Sequence, residues 1–352
     1  MKKIIVGLTY DLKTDLKLHA DDPIDAAAEL DSMKTVDRIT LALENGGHKV
    51  KKIGNVFNLL KQINDLDVDI VFNICEGHYG RNREAQVPVL LEMKGIPFVG
   101  ADGLTLAVTL DKIAAKKMFM ADGIPTPSYF CATDSKNLKE LNKTGFPMIV
   151  KTRWEGTSKG LSAHSRVTDY ESLKRQVDLI TKKYKQPALV EEFIKGTEFT
   201  VPVLGNEHPQ AMPVAQVSMD GTVDLGDKFF SYERVVAVSP EDLKYVCPAK
   251  ISEKLTKKLQ EIAIAAYQSV DCRDFGRVDF RVDEKGNPFV LEINPLPSLA
   301  ELDVFNIFPY IIGSTYDETI NQILNFALER YGLIDGKVKL NHKTSSRQVQ
   351  LK

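Results

Sequence analysis

The sequence predicts an α/β (α+β) chain, with a parallel-sheet unit leading into a strand-rich second half. Residues 1–104 alternate short apolar runs with amphipathic stretches, the rhythm of βαβ units with helices on both faces of a parallel sheet. From Ala188 the apolar runs follow one another with few helices between them. Late in the chain a polar turn, Val282–Pro288, joins two apolar strands and reads as a hairpin. A chain of 352 residues is long enough for two or three separate cores.

Each element has a local reason. Two lysines precede Ile4–Leu8, but that apolar run is too short for a signal peptide and no cleavage site follows, so it reads as a buried strand. Asp11–Asp31 is acidic and Ala-rich, a long loop or insertion with some helical character. Lys34–Asn45 is an amphipathic helix stopped by Gly46-Gly47, and Val68–Ile74 is a second apolar strand. A helix over Ala85–Met93 ends at Gly95, and Pro97–Val99 is a short strand. Thr105–Asp122 reads as one helix ended by Gly123 and Pro125. Short elements follow at Ser128–Cys131, Ser135–Leu141 and Met148–Lys151, with a strand over Leu161–Val167. Ala188–Phe193, Glu198–Leu204 and Ala211–Val217 are strands, and Ser252–Val270 and Asp317–Tyr331 are helices. Beyond Gly336 the chain is polar, Lys-rich and aperiodic, a frayed tail.

Composition narrows the function. The net charge of −2 gives no electrostatic case for nucleic acid or an anionic membrane, and no segment reaches the length of a membrane span. Cys75, Cys131, Cys247 and Cys272 are scattered without a CxxC pair, which argues against zinc and against a disulfide framework. Reduced thiols and a cytoplasmic location are expected.

The chemistry-bearing residues fall in four places. In the hairpin, Asp279 lies on one strand, and Glu292 and Asn294, two apart, lie on the next. Residues i and i+2 of a strand share a face, so three oxygen ligands suited to Mg²⁺ come together, with Arg277 beside them for a developing oxyanion. The plain alternative is a hairpin with a solvated charged face. Lys112 lies in the predicted helix and Lys151 closes an apolar strand, where an ammonium can meet a phosphate or merely reach solvent. The loop Gly156-Thr157-Ser158-Lys159-Gly160 offers backbone N–H groups to phosphates but is not a Walker A sequence. It also matches the G-x-S-x-G elbow, which requires a helix after Ser158 where a strand is expected. Finally, Leu189–Phe199 is apolar but broken by acids, placing Glu191, Glu192 and Glu198 where adenine and ribose could be held, or on a solvated turn.

Taken in order, Lys112, Lys151, Gly156–Gly160, Glu191, Glu198, Lys228, Arg277, Asp279, Glu292 and Asn294 resemble the ATP-grasp superfamily, and within it the D-alanine–D-alanine ligase family, from about Ile4 to Leu333. The resemblance implies an N-terminal Rossmann-like domain (1–104), a central subdomain (105–187), a C-terminal subdomain (188–335) and a tail (336–352). It implies that Lys112 and Lys151 contact ATP phosphates under a mobile Thr157-Ser158 loop. Glu191, Glu192, Phe193 and Ile194 would surround adenine, and Glu198 would hold ribose. Lys228 would reach the γ-phosphate from the loop Asp224–Lys244. Asp279, Glu292 and Asn294 would bind two Mg²⁺ (or Mn²⁺) ions, with Arg277 and the Ser298 backbone at the oxyanion. The implied reaction makes an acyl phosphate from a carboxylate and ATP, then an amide from an amine, in a homodimer serving cell-wall biogenesis.

The substrate half departs from the family pattern. The family's His-Gly step is Glu76-Gly77 here, with His78 read as a structural loop residue, and the tyrosine after the loop lysine is Phe229. The Thr-x-Pro-Gly-Met-Thr run is Pro295–Ala300, and Asp303 stands where a serine would hold the second substrate's carboxylate. Asp303 would repel that carboxylate, favouring an acceptor that has an added cation or lacks a free carboxylate. Glu29 or Asp31 is expected at the first substrate's amine, and Arg81 and Arg83 are candidates for a substrate carboxylate or for a solvated loop. A ligase making a different amide, or a nucleotide-binding member without catalysis, are the other readings.

Overall fold

Apolar runs pair into three sheets, and the polar segments between them line the cleft where two of the sheets meet. The computed structural model describes residues 3–17, 19–229, 231 and 243–334. The expected tail, and residues 230 and 232–242 of the expected loop, lie outside them.

The first sheet is parallel, built from β1 (Ile5–Tyr10), β2 (Lys49–Gly54), β3 (Ile70–Ile74) and β4 (Phe98–Val99) in the order β2-β1-β3-β4. β2 is absent from the sequence reading because Lys49, Lys51 and Lys52 interrupt its apolar pattern. It is an edge strand, where lysines are tolerated and block further pairing; Lys51 pairs with Asp67 at 3.1 Å. The second sheet, antiparallel, joins β5 (Tyr129–Ala132), β6 (Met148–Thr152), β7 (Arg166–Val167) and β8 (Ala188–Glu192) in the order β5-β8-β6-β7. The third comprises β9 (Gly196–Leu204), β10 (Gln210–Ala211), β11 (Ala215–Met219), β12 (Leu243–Val246), β13 (Phe275–Asp283) and β14 (Pro288–Asn294). Its order is β12-β11-β9-β13-β14, with β10 on β9.

The predicted helix Thr105–Asp122 is two helices, Gly103–Leu110 and Lys112–Ala121. Asp111 breaks it: its backbone is extended, and its carboxylate caps the second helix on the Ile113 and Ala114 N–H groups. Lys112 therefore opens a helix instead of sitting mid-helix. Both helices contribute to the core of the third sheet, with Leu106, Ala115 and Phe119 clustered with Val201, Val203 and Val278. This sets them apart from the central sheet, with which the expected 105–187 unit would group them. Leu161–Val167 is a 3-10 turn at Ala163–Ser165 followed by the short β7, not one strand. No helix follows Ser158, so the elbow reading stays excluded. Three helices escaped the sequence reading, the first of them Val56–Gln62. Tyr170–Lys183, begun by an Asp169/Ser172 capping box, buries Leu173, Val177 and Ile180; Val304–Ile311 carries Pro309.

The C-terminal helix Tyr316–Arg330 returns to the first sheet, with Ile320, Ile323 and Leu324 sharing a core with Val36, Ile39 and Leu43 of Met33–Asn45. Asp274, fully buried, ties these parts together. It accepts from the Gly100 N–H at 2.8 Å, Arg330 Nη2 at 2.7 Å and Asn206 Nδ2 at 3.0 Å. Removing one partner of a buried ion pair leaves an uncompensated charge. Asp274→Ala is therefore expected to lower unfolding stability by roughly 3–5 kcal/mol, read as a shifted urea midpoint; a change below about 1 kcal/mol would contradict this role.

Candidate active site

A cavity of about 540 Å³ opens between the central and third sheets, within the size range of small-ligand sites. The hairpin supplies one wall. In the β13–β14 register Arg277 faces Asn294 and Asp279 faces Glu292, and the ladder shifts after Asp279. All four line the cavity. The turn is held by Asp283, which accepts from the Lys285 N–H at 2.9 Å and the Asn287 N–H at 2.8 Å. Asp279 accepts from Arg277 at 3.0 and 3.1 Å, from Thr200 Oγ1 at 2.6 Å and from Asn294 Nδ2 at 2.9 Å. Glu292 pairs with Lys112 at 3.0 Å. Burial would raise the Glu292 carboxyl, but Lys112 and Lys151 hold it below its ordinary value. Two carboxylates and an amide converge on one face, and hard oxygen donors of this kind fit Mg²⁺.

Helix Lys112–Ala121 brings a second lysine to the site. Lys116 lies one turn beyond Lys112, fully buried, and its Nζ meets Glu191 Oε1 at 2.6 Å while Lys151 meets Oε2 at 2.7 Å. Burial opposes charge on Glu191, yet the two ammonium groups more than offset it and hold the carboxyl at about 2. Sequence reasoning missed Lys116, although its i, i+4 spacing from Lys112 was a usable signal. Glu191, expected near adenine, thus has both oxygens on lysines. Glu192, Phe193 and Ile194 line the cavity beside it.

Glu198 also lines the cavity and pairs with Arg281, another residue the sequence reading passed over. Arg281 faces Glu198 in the β9–β13 register. It donates to the carbonyls of Ile194 at 2.6 Å, Gly226 at 2.8 Å and Lys228 at 2.8 Å, and its guanidinium lies 4.8 Å over Phe193. One side chain therefore connects the expected ribose acid, the adenine-side backbone and the base of the loop. Lys228 itself turns outward to Asp220 at 2.8 Å and does not line the cavity.

The glycine loop is braced by the acidic insertion. Thr157 and Ser158 have φ of 46° and 57°, a left-handed conformation costly for these residues, above all for β-branched threonine. Glu29 accepts from the Gly156 N–H, Asp25 from the Gly160 N–H at 2.7 Å, and Lys159 Nζ reaches Glu29 at 3.1 Å. Two N–H groups expected to face phosphate thus already carry carboxylates. Arg83, expected in a solvated loop or at a substrate, is buried between Glu29 (2.7 Å), Glu155 (3.4 Å) and the Trp154 carbonyl (2.7 Å). Arg81 is exposed beside a separate cavity, near the Trp154 ring. His78 pairs with Asp11 at 2.9 Å as a structural residue.

Glu29, consumed by cations, is a poor anchor for an amine, whereas Asp31 and Glu76 line the cavity without an ion pair among the described residues. Asp303 corrects another expectation. It caps helix Val304–Ile311 on the Phe305 N–H and accepts from Arg277 at 2.8 Å. Its charge is therefore matched within the protein, and repulsion of an acceptor carboxylate is weaker than the isolated aspartate implied. Ser298 lines the same end of the cavity.

This arrangement, nucleotide-sized and walled by lysines and a carboxylate-bearing hairpin, agrees with the comparisons. The family described as D-ala D-ala ligase C-terminus matches residues 118–325. The D-alanine--D-alanine ligase of Pelotomaculum thermopropionicum is 31% identical over 313 residues, covering 86% of this chain and 93% of its own. An uncharacterized protein, y4sG, of Sinorhizobium fredii is 36% identical over 74% of this chain and 75% of its own. Among solved structures, the Bacillus anthracis D-alanine--D-alanine ligase complexed with ATP aligns at a TM-score of 0.72 and 20% identity, covering 94% of this chain and 99% of that one. The chain belongs to the D-alanine–D-alanine ligase family of ATP-dependent ligases and has the ATP-grasp fold.

Because the Glu191 carboxyl falls from 4.5 to about 2 on folding, its stabilising charge is present above pH 4.5 and lost as pH drops toward 2. Glu191→Gln leaves two buried lysines unmatched and is expected to cost roughly 3–5 kcal/mol at pH 7. In urea titrations the gap between wild type and variant should narrow below pH 4.5; a gap independent of pH would refute the triad.

Proposed function

We propose that this chain is an ATP-dependent carboxylate–amine ligase of the D-alanine–D-alanine ligase type, forming an amide through an acyl phosphate and releasing ADP and phosphate. The supporting observation is the facing of Asp279 and Glu292 across the hairpin, within one cavity that also holds Lys112, Lys151 and Glu198. Lys112 and Lys151 bind the phosphates as point charges, and Glu198 receives the ribose hydroxyls. Phe193 and the backbone to Ile194 pack the adenine. Asp279, Glu292 and Asn294 hold Mg²⁺, two ions in this reading, which neutralises charge on the transferring phosphoryl when bound. Arg277, kept in place by Asp279 and Asp303, is aimed at the oxyanion. Thr157, Ser158 and Ser298 border the reacting groups and exclude water.

Lys112 and Lys151 are now neutralised by Glu292 and Glu191. With Mg-ATP bound, Glu292 would face the metal, Lys112 and Lys151 would face the phosphates, and Glu191 would keep Lys116, so no charge is stranded in the buried cleft. Lys228 joins the γ-phosphate only after leaving Asp220, which makes it a residue of the closed state. We further propose a homodimer with three structural units, 1–104, 105–187 and 188–335, in which the helices Gly103–Leu110 and Lys112–Ala121 share the core of the third sheet.

A second reading, a different amide product, is favoured by Glu76, which replaces the family's histidine and lines the cavity without an ion pair among the described residues. ADP release with Mg-ATP across single and paired D- and L-amino acids separates the possibilities. Turnover with D-alanine alone supports the family reaction, turnover only with a mixed pair supports another product, and none with any pair supports a binding protein without catalysis. Asp279→Ala and Glu292→Ala are each expected to lower ADP release at least about 100-fold with an unchanged circular dichroism spectrum. Normal turnover in both would sink the metal assignment.

A further inference from the structure

The charges at the N-terminal end of the cavity do not balance. Glu29 and Glu155 are matched by Arg83 and Lys159, and Lys112 is matched by Glu292. Asp31, Glu76 and Glu84 line the same cavity, and none of them has a basic group within 4.0 Å among the described residues. Glu76 stands just past the carboxyl end of β3, where parallel α/β sheets place their ligands. Glu84 comes from the 3-10 turn Arg83–Ala85 and is 9% exposed. Its carboxyl meets that of Glu76, and among the described residues Arg83 and Lys112 act on it only from beyond ion-pair distance.

We propose that this end of the cavity selects an amino acid with a second cationic group, a diamino or guanidino acid, whose side-chain cation lies between Glu76 and Glu84 while Asp31 takes the α-ammonium. The proposal rests on the ligase reading for the role of the bound amino acid as carboxylate donor, and names its chemical class. Two facing carboxyls, Glu84 buried and Glu76 half-buried, are costly beside a methyl group, which gives them no counter-ion, and favourable around an ammonium or guanidinium, which donates to both. Burial, with Glu29 nearby and only partly offset by Arg83, pushes Glu84 up to about 7, as expected of acids lacking a counter-ion. Burial likewise lifts Asp31 to about 6. A metal ion is a weaker candidate, because no group of three or more metal-type side chains converges among the described residues.

The test is calorimetric titration of the chain, saturated with Mg²⁺ and a non-hydrolysable ATP analogue, with both enantiomers of lysine, ornithine, arginine, alanine and norleucine. At least one basic amino acid is expected to bind about 10-fold or more tightly than alanine and norleucine. Glu84→Gln and Glu76→Gln should each cut that preference about 10-fold; the wild-type preference decides if either variant fails to fold. Equal binding of neutral and basic amino acids, or a preference that survives both substitutions, overturns the proposal. ADP release measured in parallel keeps the two readings apart. Release with alanine and no basic preference leaves the ligase standing without this specificity. Tight basic binding with no ADP release or peptide tells against the ligase and leaves the cation subsite.

Discussion

The site is organised around a carboxylate that water does not reach. Glu191 belongs to the central sheet, as does Lys151, while Lys116 comes from a helix packed on the third sheet. Lys116 also donates to Thr126 Oγ1 at 2.6 Å, which donates to the Val290 carbonyl of β14 at 2.8 Å. The triad thus links the two walls of the cleft through charge. Burial penalises each member alone, so all three must be present together. That requirement fixes the position of Lys151 relative to the hairpin, and with it the floor of the cavity.

A second charge network performs the same service at the loop. Asp111 takes a two-pronged contact from Arg153 at 2.7 Å on each oxygen and a bond from Trp154 Nε1 at 3.2 Å, while capping the helix that begins with Lys112. Burial works against that carboxyl, but Arg153 overcomes it and holds the group below its ordinary range. The aspartate that breaks the long helix is therefore the residue that docks it on the loop strand. Across the cleft, Glu29 and Asp25 brace the same loop from the N-terminal insertion, so Thr157 and Ser158 can keep a backbone conformation that isolated residues would leave.

The strands were legible wherever apolar periodicity was strong, as in β1, β3, β9 and β13. The hairpin was legible to its individual polar residues, because strand alternation alone places Asp279, Glu292 and Asn294 on one face. Periodicity failed where a polar residue had a tertiary reason to be there. Asp111 is unremarkable as a helical residue until Arg153 and Trp154 are beside it. The lysines of β2 hide a strand that becomes visible only at the sheet edge. Arg281 sits between Phe280 and Val282 on its strand, and only the β9–β13 register shows that it faces Glu198.

By itself the sequence determined the identity and order of the chemical groups: lysines, a glycine loop, acids, then a carboxylate-bearing hairpin. These follow from local spacing, which a strand or helix converts directly into a shared face. Only the tertiary structure decided which charges are free to meet a ligand. Glu29, Arg83 and Asp303 looked available and are matched within the protein, Lys228 turns away to Asp220, and Lys116 emerged from an ordinary helical stretch. Charge matching acts over a few ångströms between segments distant in sequence, and no local pattern encodes that distance.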